Sequence, residues 1–437
     1  MARIKLYGNT RTRRVTGRRE EKRERSSLKA VTIILLIIAA IEAVYFVCVY
    51  SNIPFIAKYR KIYIQTAMST MRHQWLATAF IPSGIINGVM LDMAKSKEAQ
   101  VGQESTWSIE LPELEFPTKP AAGEKPETAT APVQREEPEL TAEDVFYQLF
   151  WEVDQTTLEA YLNEHPEALT DGWENLCINE AGLNDSGTSI ETIMGEQILA
   201  IDVPNQILLI RVEGGAGLNQ YQGVLAVAKD PSRLSVKNAS SLGSVGQHAG
   251  TIAANNNGVL AMTGSAFLDD GGVGNGGALA GYTMSDGEGR GYHMGYGNKR
   301  IELRENNFFY ITDVTSPVHE ETTDAVEFAP ALIVDGQIIV DENCTWMGIH
   351  PRTVIGQSDL GEILMLAIEG RQVGRSMGTD VVECAGILKR HNCMQALNLD
   401  GGTSTILWYD GEYVVRCSNQ ACPEGRLLPN AFVYARE

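Results

Sequence analysis

The chain has 437 residues, 44 % of them hydrophobic, enough for one large or two modest globular units with extensions. Its formal charge of −19 conceals an asymmetry. Met1–Lys29 holds eleven Lys or Arg against three Glu, about +8, so the remainder carries about −27. An acidic body of this kind argues against nucleic acid as its partner.

After the basic head (1–29), Ala30–Tyr50 reads AVTIILLIIAAIEAVYFVCVY, with Glu42 its one charge. That is the length of a membrane-spanning helix. Glu42 costs about 2.5–3.5 kcal/mol at worst, which the Leu, Ile and Val content can offset. A cleaved signal peptide competes, but Glu42 interrupts the small-residue stretch Ala39–Ala43. A buried core helix is the bland alternative. The basic N-terminal flank predicts a single-pass anchor with a cytoplasmic N-terminus and an extracellular body. It also suits anionic membrane lipid. Residues 51–94 read as a membrane-proximal segment with Lys58, Arg60, Lys61, Arg72 and His73 among apolar residues. Residues 95–140, rich in Pro, Glu, Lys, Thr and Ala, have a linker's composition.

Order resumes at Thr141. Phe146, Leu149, Phe150, Val153 and Leu158 are near helical spacing, so 141–196 is expected to be a helical segment packing on the domain that follows, 197–437. In that domain the texture becomes strand-like. Ile198–Val203 and Ile207–Val212 flank Pro204-Asn205, and Gly223–Ala228 follows. Asp335-Gly336 and Asp410-Gly411 are hairpin signals. Ile363–Ile368, Ala396–Leu399 and Ile406–Tyr409 are further apolar runs, and Thr379–His391 is the clearest late helix. Glycines crowd 243–297, where long loops are expected. The fold class is α+β: a strand-rich, mixed-sheet domain with a few helices, preceded by one transmembrane helix.

Several stretches could carry chemistry. Gly264–Gly277 is a glycine-rich loop with Asp269, Asp270 and Asn275 but no Lys, so it is no P-loop. Arg352 and Thr353 open one apolar strand, and Glu369-Gly370-Arg371 closes another. Arginine recognises phosphate through two parallel hydrogen bonds, although a surface ion pair explains such residues equally well. Glu383, three residues after Asp380, reads as part of a capping box or as a catalytic carboxylate. Asn398-Leu399-Asp400-Gly401-Gly402-Thr403-Ser404 delivers a carboxylate to a glycine turn lined with hydroxyls. By itself that is an ordinary turn. There is no zinc spacing among the seven cysteines and no HExxH; Cys417 and Cys422 are spaced for a local disulfide.

Taken together, Arg352-Thr353-x-Ile355-Gly356-Gln357, Glu369-Gly370-Arg371, Glu383 and Asn398–Ser404 resemble the phosphodiester glycosidase family, which includes the lysosomal enzyme that uncovers mannose 6-phosphate. The loop Gly264–Gly277 and the tail Gly425–Ala431 resemble further blocks, and the likeness spans roughly 222–436. The order of the blocks is specific, although no single block is. Three positions depart from the family pattern: Thr263-Gly264 for Asn-Gly, Glu369 for Asp, and Thr403 for a third glycine.

The resemblance implies a hydrolase that cleaves the glycosidic bond of a sugar-1-phosphodiester, with a cell-surface glycopolymer as the expected substrate; bacterial members are described as exopolysaccharide-related. It places Asp400 as base or nucleophile, with Glu369 and Glu383 as candidates for a second carboxylate. Arg352 and Arg371 would hold the phosphate. Thr353, Asn398, Gly401, Gly402 and Ser404 would bind phosphate or sugar hydroxyls, and Asp269 and Asn275 would line the sugar side. No cofactor is required. A divalent cation could use Asp269, Asp270, Glu369 and Asp400 as oxygen ligands. The competing reading is a non-catalytic surface protein that binds polysaccharide or assists its assembly.

Overall fold

The structure, a computed structural model, describes residues 10–70, 73–107, 140–269, 273–341 and 348–437, with only the backbone for 10–27 and 218. It divides into two units, Met1–Tyr63 and Ile64–Glu437. In the first, α1 (Thr10–Tyr50) is one continuous helix. Leu28–Tyr50 has a mean hydropathy of 2.7 and is long enough to cross a membrane. Its side chains are exposed from Leu28 to Cys48. The helix is compatible with an anchor or a signal sequence. After it comes α2 (Pro54–Met68), which runs into the second unit.

The second unit continues with α3 (Trp75–Thr78), α4 (Ser83–Glu98), α5 (Ala142–Leu149) and α6 (Gln155–Glu164). There follow β1 (Cys177–Asn179), β2 (Ile198–Asp202), β3 (Ile207–Gly214), β4 (Tyr221–Ala228), β5 (Leu234–Asn238), α7 (Ala249–Asn255) and β6 (Gly258–Thr263). Next are β7 (Thr283–Ser285), β8 (Glu288–Arg290), β9 (Lys299–Arg304), β10 (Phe309–Asp313), β11 (Thr322–Phe328), β12 (Ala331–Val334) and β13 (Gln337–Ile338). The chain closes with β14 (Arg352–Ser358), β15 (Ile363–Ile368), α8 (Val381–Arg390), β16 (Cys393–Asn398), β17 (Leu407–Tyr409), β18 (Glu412–Tyr413) and β19 (Asn430–Ala435). A nine-stranded sheet runs β1-β2-β3-β4-β15-β14-β16-β12-β13. Two five-stranded sheets run β10-β9-β11-β7-β8 and β18-β17-β6-β19-β5. All the strand pairs joining β4, β15, β14 and β16 are antiparallel. The architecture is the expected α+β, built on antiparallel rather than mixed sheets.

Apolar runs such as Ile207–Ile210 and Ile363–Ile368 are continuous because the large sheet is buried on both faces. Leu208, Leu225 and Leu366 pack with Phe146, Phe150, Leu158 and Ile387 from the helices. Leu209, Ala226, Met365 and Leu397 pack with Leu260, Met262, Ile301, Phe309 and Phe432 from the smaller sheets. Burying both faces removes the polar alternation expected of a half-exposed strand.

The segment after Leu140 is capped and fastened to the sheet. Thr141 and Asp144 form a reciprocal capping box at the start of α5. Beyond that helix, the carboxylate of Glu152 meets Lys229 Nζ at 2.7 Å, and Glu362 meets the same Nζ at 2.7 Å. All three groups are buried. The first residues expected to form a linker, from Lys95, are instead packed. Lys95–Glu98 stays in α4, Gln100 donates to the Ala331 carbonyl at 2.9 Å, and Trp107 is buried, donating to the Phe309 carbonyl at 2.8 Å. Polar composition hid these few anchoring residues; 108–139 lie outside the described residues.

Replacing Lys229 with Met would leave two neighbouring carboxylates without their cation. The expected loss is about 3–5 kcal/mol. The loss should be smaller at pH 5 than at pH 8, because protonation removes the buried charge; thermal unfolding at the two pH values checks both expectations.

Candidate active site

The registers of two sheets bring the polar blocks to one place. In the large sheet Arg352 pairs with Ile368, and Val354 with Asn398. The start of β14 therefore shares an edge with the ends of β15 and β16. In a small sheet Met262 pairs with Leu407, and Thr263 with Ala431, so the end of β6 shares an edge with the starts of β17 and β19. The short turn Gly401–Thr405 joins β16 to β17 and links the two edges. Thr263 Oγ1 donates to the Ser404 carbonyl.

Asp400 stands in this turn. Burial pushes its carboxyl up to about 6; the Ser404 hydroxyl, the Arg426 charge and the Gly401 N–H oppose the shift, and Asp269 adds to it. Arg371 also senses the charge of Asp400. Its surface is exposed, yet burial lowers its pKa, as happens when protein crowds a solvent-reached group in a cleft. Arg371 has φ +61°, and its Nη2 lies 3.3 Å from His350 Nδ1. That bond requires the imidazole tautomer protonated on Nε2. On the other side, Arg426 makes a two-pronged pair with Asp269, donates to the Gly274 carbonyl at 2.7 Å and lies over the Phe267 ring at 4.5 Å. Asp400 is thus a carboxyl poised near neutrality between two guanidinium groups.

The glycines serve close approach more than ligand binding. A Cβ at Gly401 would lie 2.7 Å from the Pro351 carbonyl; one at Gly402, whose φ is +64°, would lie 3.1 Å from Arg371 Nη2. The Gly402 N–H donates to the Pro351 carbonyl at 3.2 Å, and the Gly401 N–H serves Asp400. The expected phosphate donors are therefore engaged within the turn, and Ser404 likewise bonds Asp400. Thr353 and Asn398 are buried beneath it. The Thr353 carbonyl accepts the Leu399 N–H at 2.8 Å, and Asn398 Nδ2 donates to the Ala329 carbonyl at 2.8 Å.

Four other sequence expectations are corrected. Arg352 is buried, and its Nε and Nη2 donate to the carbonyls of Thr379 and Gly348; it braces the loop that carries His350. Burial lowers its pKa to about 10. Glu369 is buried in a two-pronged pair with Arg375, at 2.6 and 2.9 Å, and accepts the Arg416 N–H. Glu383 is exposed on α8 and accepts the Tyr221 hydroxyl at 2.6 Å; Asp380 caps α8 through the Val382 and Glu383 N–H groups, without a capping box. Asn275 is exposed and ties its own loop to the Ser244 carbonyl.

Asp269 does reach the site, through Arg426. For a cation, Glu369 is paired away from Asp400 and Asp270 lies outside the described residues; among the described residues no three His, Cys, Asp or Glu groups are arranged to hold a metal. Cys417 and Cys422 are free thiols. Sequence reasoning missed His350 and Arg426, although His350-Pro351-Arg352 and Gly425-Arg426 were the available signals.

Residues 249–435 match the family model described as phosphodiester glycosidase. The match covers this part of the chain and falls on the family that the order of blocks resembled. Over 127 residues the chain is 25 % identical to the SPbeta prophage-derived uncharacterized protein YomE of Bacillus subtilis (strain 168), covering 28 % of this chain and 18 % of that protein. The chain thus spans less than a fifth of that relative's length. Among solved structures it is similar to the zebrafish N-acetylglucosamine-1-phosphodiester alpha-N-acetylglucosaminidase catalytic domain, auto-inhibited by its pro-peptide. The TM-score is 0.45 at 17 % identity, covering 65 % of this chain and 95 % of that one. A hypothetical protein from Synechocystis gives 0.37 at 14 % identity, covering 55 % and 63 %.

Because the Asp400 pKa is raised from 3.8 to about 6, ionising it opposes folding. The native state should lose stability as pH rises from 4 to 6 and stay at that level above. Asp400→Asn removes the cost, so it should be more stable than the parent at pH 8, by about 3 kcal/mol at most. At pH 4 the two should melt together.

Proposed function

We propose that this chain is a membrane-anchored extracellular hydrolase that cleaves the glycosidic C–O bond of sugar-1-phosphodiesters, acting on a cell-surface glycopolymer. The observation that carries the reading is Asp400, with its pKa of about 6, between Arg371 and Arg426. The family match supports the reaction class. The apolar span after a basic head supports the location.

The chemistry fits these residues. In hydrolysis, water supplies the new bond to the anomeric carbon, the C–O bond to phosphate breaks, and the phosphate departs with the electron pair. A phosphate is an acidic leaving group, so it needs little protonation and much charge stabilisation. Arg371 has no direct ion pair among the described residues and can take the phosphate. Ionised Asp400 would remove the proton from water or attack the anomeric carbon itself. Arg426 is already paired with Asp269, so it holds the sugar-side loop and tunes Asp400.

Purified full chain in detergent, given an N-acetylglucosamine-1-phosphodiester, should release the free sugar. Asp400→Asn should lower kcat by about 10²–10⁴-fold, and Arg371→Ala by about 10²–10³-fold, while Glu383→Gln should change little. Sugar binding without turnover by the parent, or full activity in Asp400→Asn, would refute the reading.

Activity should also follow Asp400. Its base or nucleophile role needs the ionised form, so kcat/KM should rise with pH to a plateau, with a midpoint near 6. A profile flat from pH 5 to 8 would exclude that role.

A further inference from the structure

A cavity of about 290 Å³ lies on the other side of the Glu369–Arg371 turn, lined by Arg211, Arg375 and Arg416 together with Glu369 and Asp185. Three arginines in one cavity are unexpected in a chain of net charge −19. Their charges are unequally matched. Arg375 is neutralised by Glu369. Arg211 is opposite Val224 in the β3–β4 pair; among the described residues its guanidinium donates only to the backbone carbonyl of Asp185, at 3.2 Å. The Arg416 guanidinium has no hydrogen bond or ion pair among the described residues, although its backbone is fixed by Glu369 at 2.8 Å. Against the exposed Asp185 carboxylate, two cations remain without a direct anionic partner among the described residues.

We propose that this cavity is a second binding site, for a phosphate-bearing saccharide. Arg211 and Arg416 would hold the phosphate; the fork of a guanidinium suits paired hydrogen bonds to its oxygens. Asn184 and Gln222, which also line the cavity, offer amides to sugar hydroxyls. Glu369 fixes Arg375 in place and anchors the Arg416 backbone, so the carboxylate expected in the reaction instead builds this site. Arg371 belongs to the Asp400 site: its contacts are with His350 and the Gly402 turn. On the hydrolytic reading the cavity would hold the next charged unit of a polymer. That last step rests on the proposed activity, whereas binding itself does not.

Calorimetric titration of the full chain in detergent with glucose 6-phosphate, glucose and inorganic phosphate tests this. Glucose 6-phosphate should bind more tightly than either of the others. Arg211→Ala and Arg416→Ala should each weaken it by about tenfold or more, and Arg371→Ala, which touches the Asp400 site, should weaken it less than either. Arg416→Gln, which keeps most of the stem, should weaken it as well, with the parent's melting temperature showing that the fold is intact. Three results would overturn the proposal: binding no tighter than glucose, equal binding of inorganic phosphate, or binding lost with Arg371→Ala but retained with Arg416→Ala. Loss of hydrolysis in Asp400→Asn with this binding retained would leave the cavity assignment standing.

Discussion

The placement of β14 between β15 and β16 is the constraint on which the site depends. Because both pairs are antiparallel, one end of β14 must share an edge with the far ends of its two neighbours. His350, Arg371 and Asp400 are separated by 21 and 29 positions in the chain, yet the hydrogen-bond ladder gathers them at that edge. The side chains inside the ladder are buried on both faces, so the register is fixed: slipping by one residue would exchange the two faces of every strand. The second sheet adds Arg426 and Asp269 through the same logic, and Thr263 ties the two edges together.

Within that frame the charges are arranged unequally, and the inequality separates scaffold from site. Lys229 with Glu152 and Glu362, and Arg300 with Glu302 and Glu327, are buried groups facing opposite charges. Such pairs recover the cost of leaving water only with close geometry and extra hydrogen bonds, and they hold their surroundings in one arrangement. Arg352 is likewise absorbed by backbone carbonyls. Asp400 is different. Its neighbours reduce but do not cancel the cost of burial, and the carboxyl stays near the point of titration. A group in that condition can change its protonation near neutral pH, whereas Glu369 is held in a two-pronged pair with Arg375.

Legibility in the sequence followed the same division. Strands with unbroken apolar runs, Ile207–Ile210 and Ile363–Ile368 among them, were readable, as were the hairpins at Asp335-Gly336 and Asp410-Gly411 and the helix α8. The sheet formed by β7 to β11 was not. An inner strand, β9, carries Lys299, Arg300 and Glu302 wholly buried; only Ile301 and Leu303 alternate with its charged residues, too short an apolar signal to mark a buried strand. β6 was lost among the glycines between 243 and 297. In the site, Asp400 and Arg371 were readable from strand ends followed by charge. Arg352 and Glu369 looked equivalent to them, because local sequence does not say whether an arginine faces a cleft or a carbonyl.

By itself the sequence determined the apolar helix after a basic head, the α+β class, and the set of polar blocks from which a site could be built. These follow from local hydrophobicity, turn chemistry and the order of residue types. The tertiary structure decided which members of those blocks meet. Solvent exclusion and partner geometry are set by residues distant in the chain, and they made Asp400 a poised carboxyl while Glu369 became a brace. They also brought His350 and Arg426 to the site and, among the described residues, left Arg211 and Arg416 without direct anionic partners in a separate cavity.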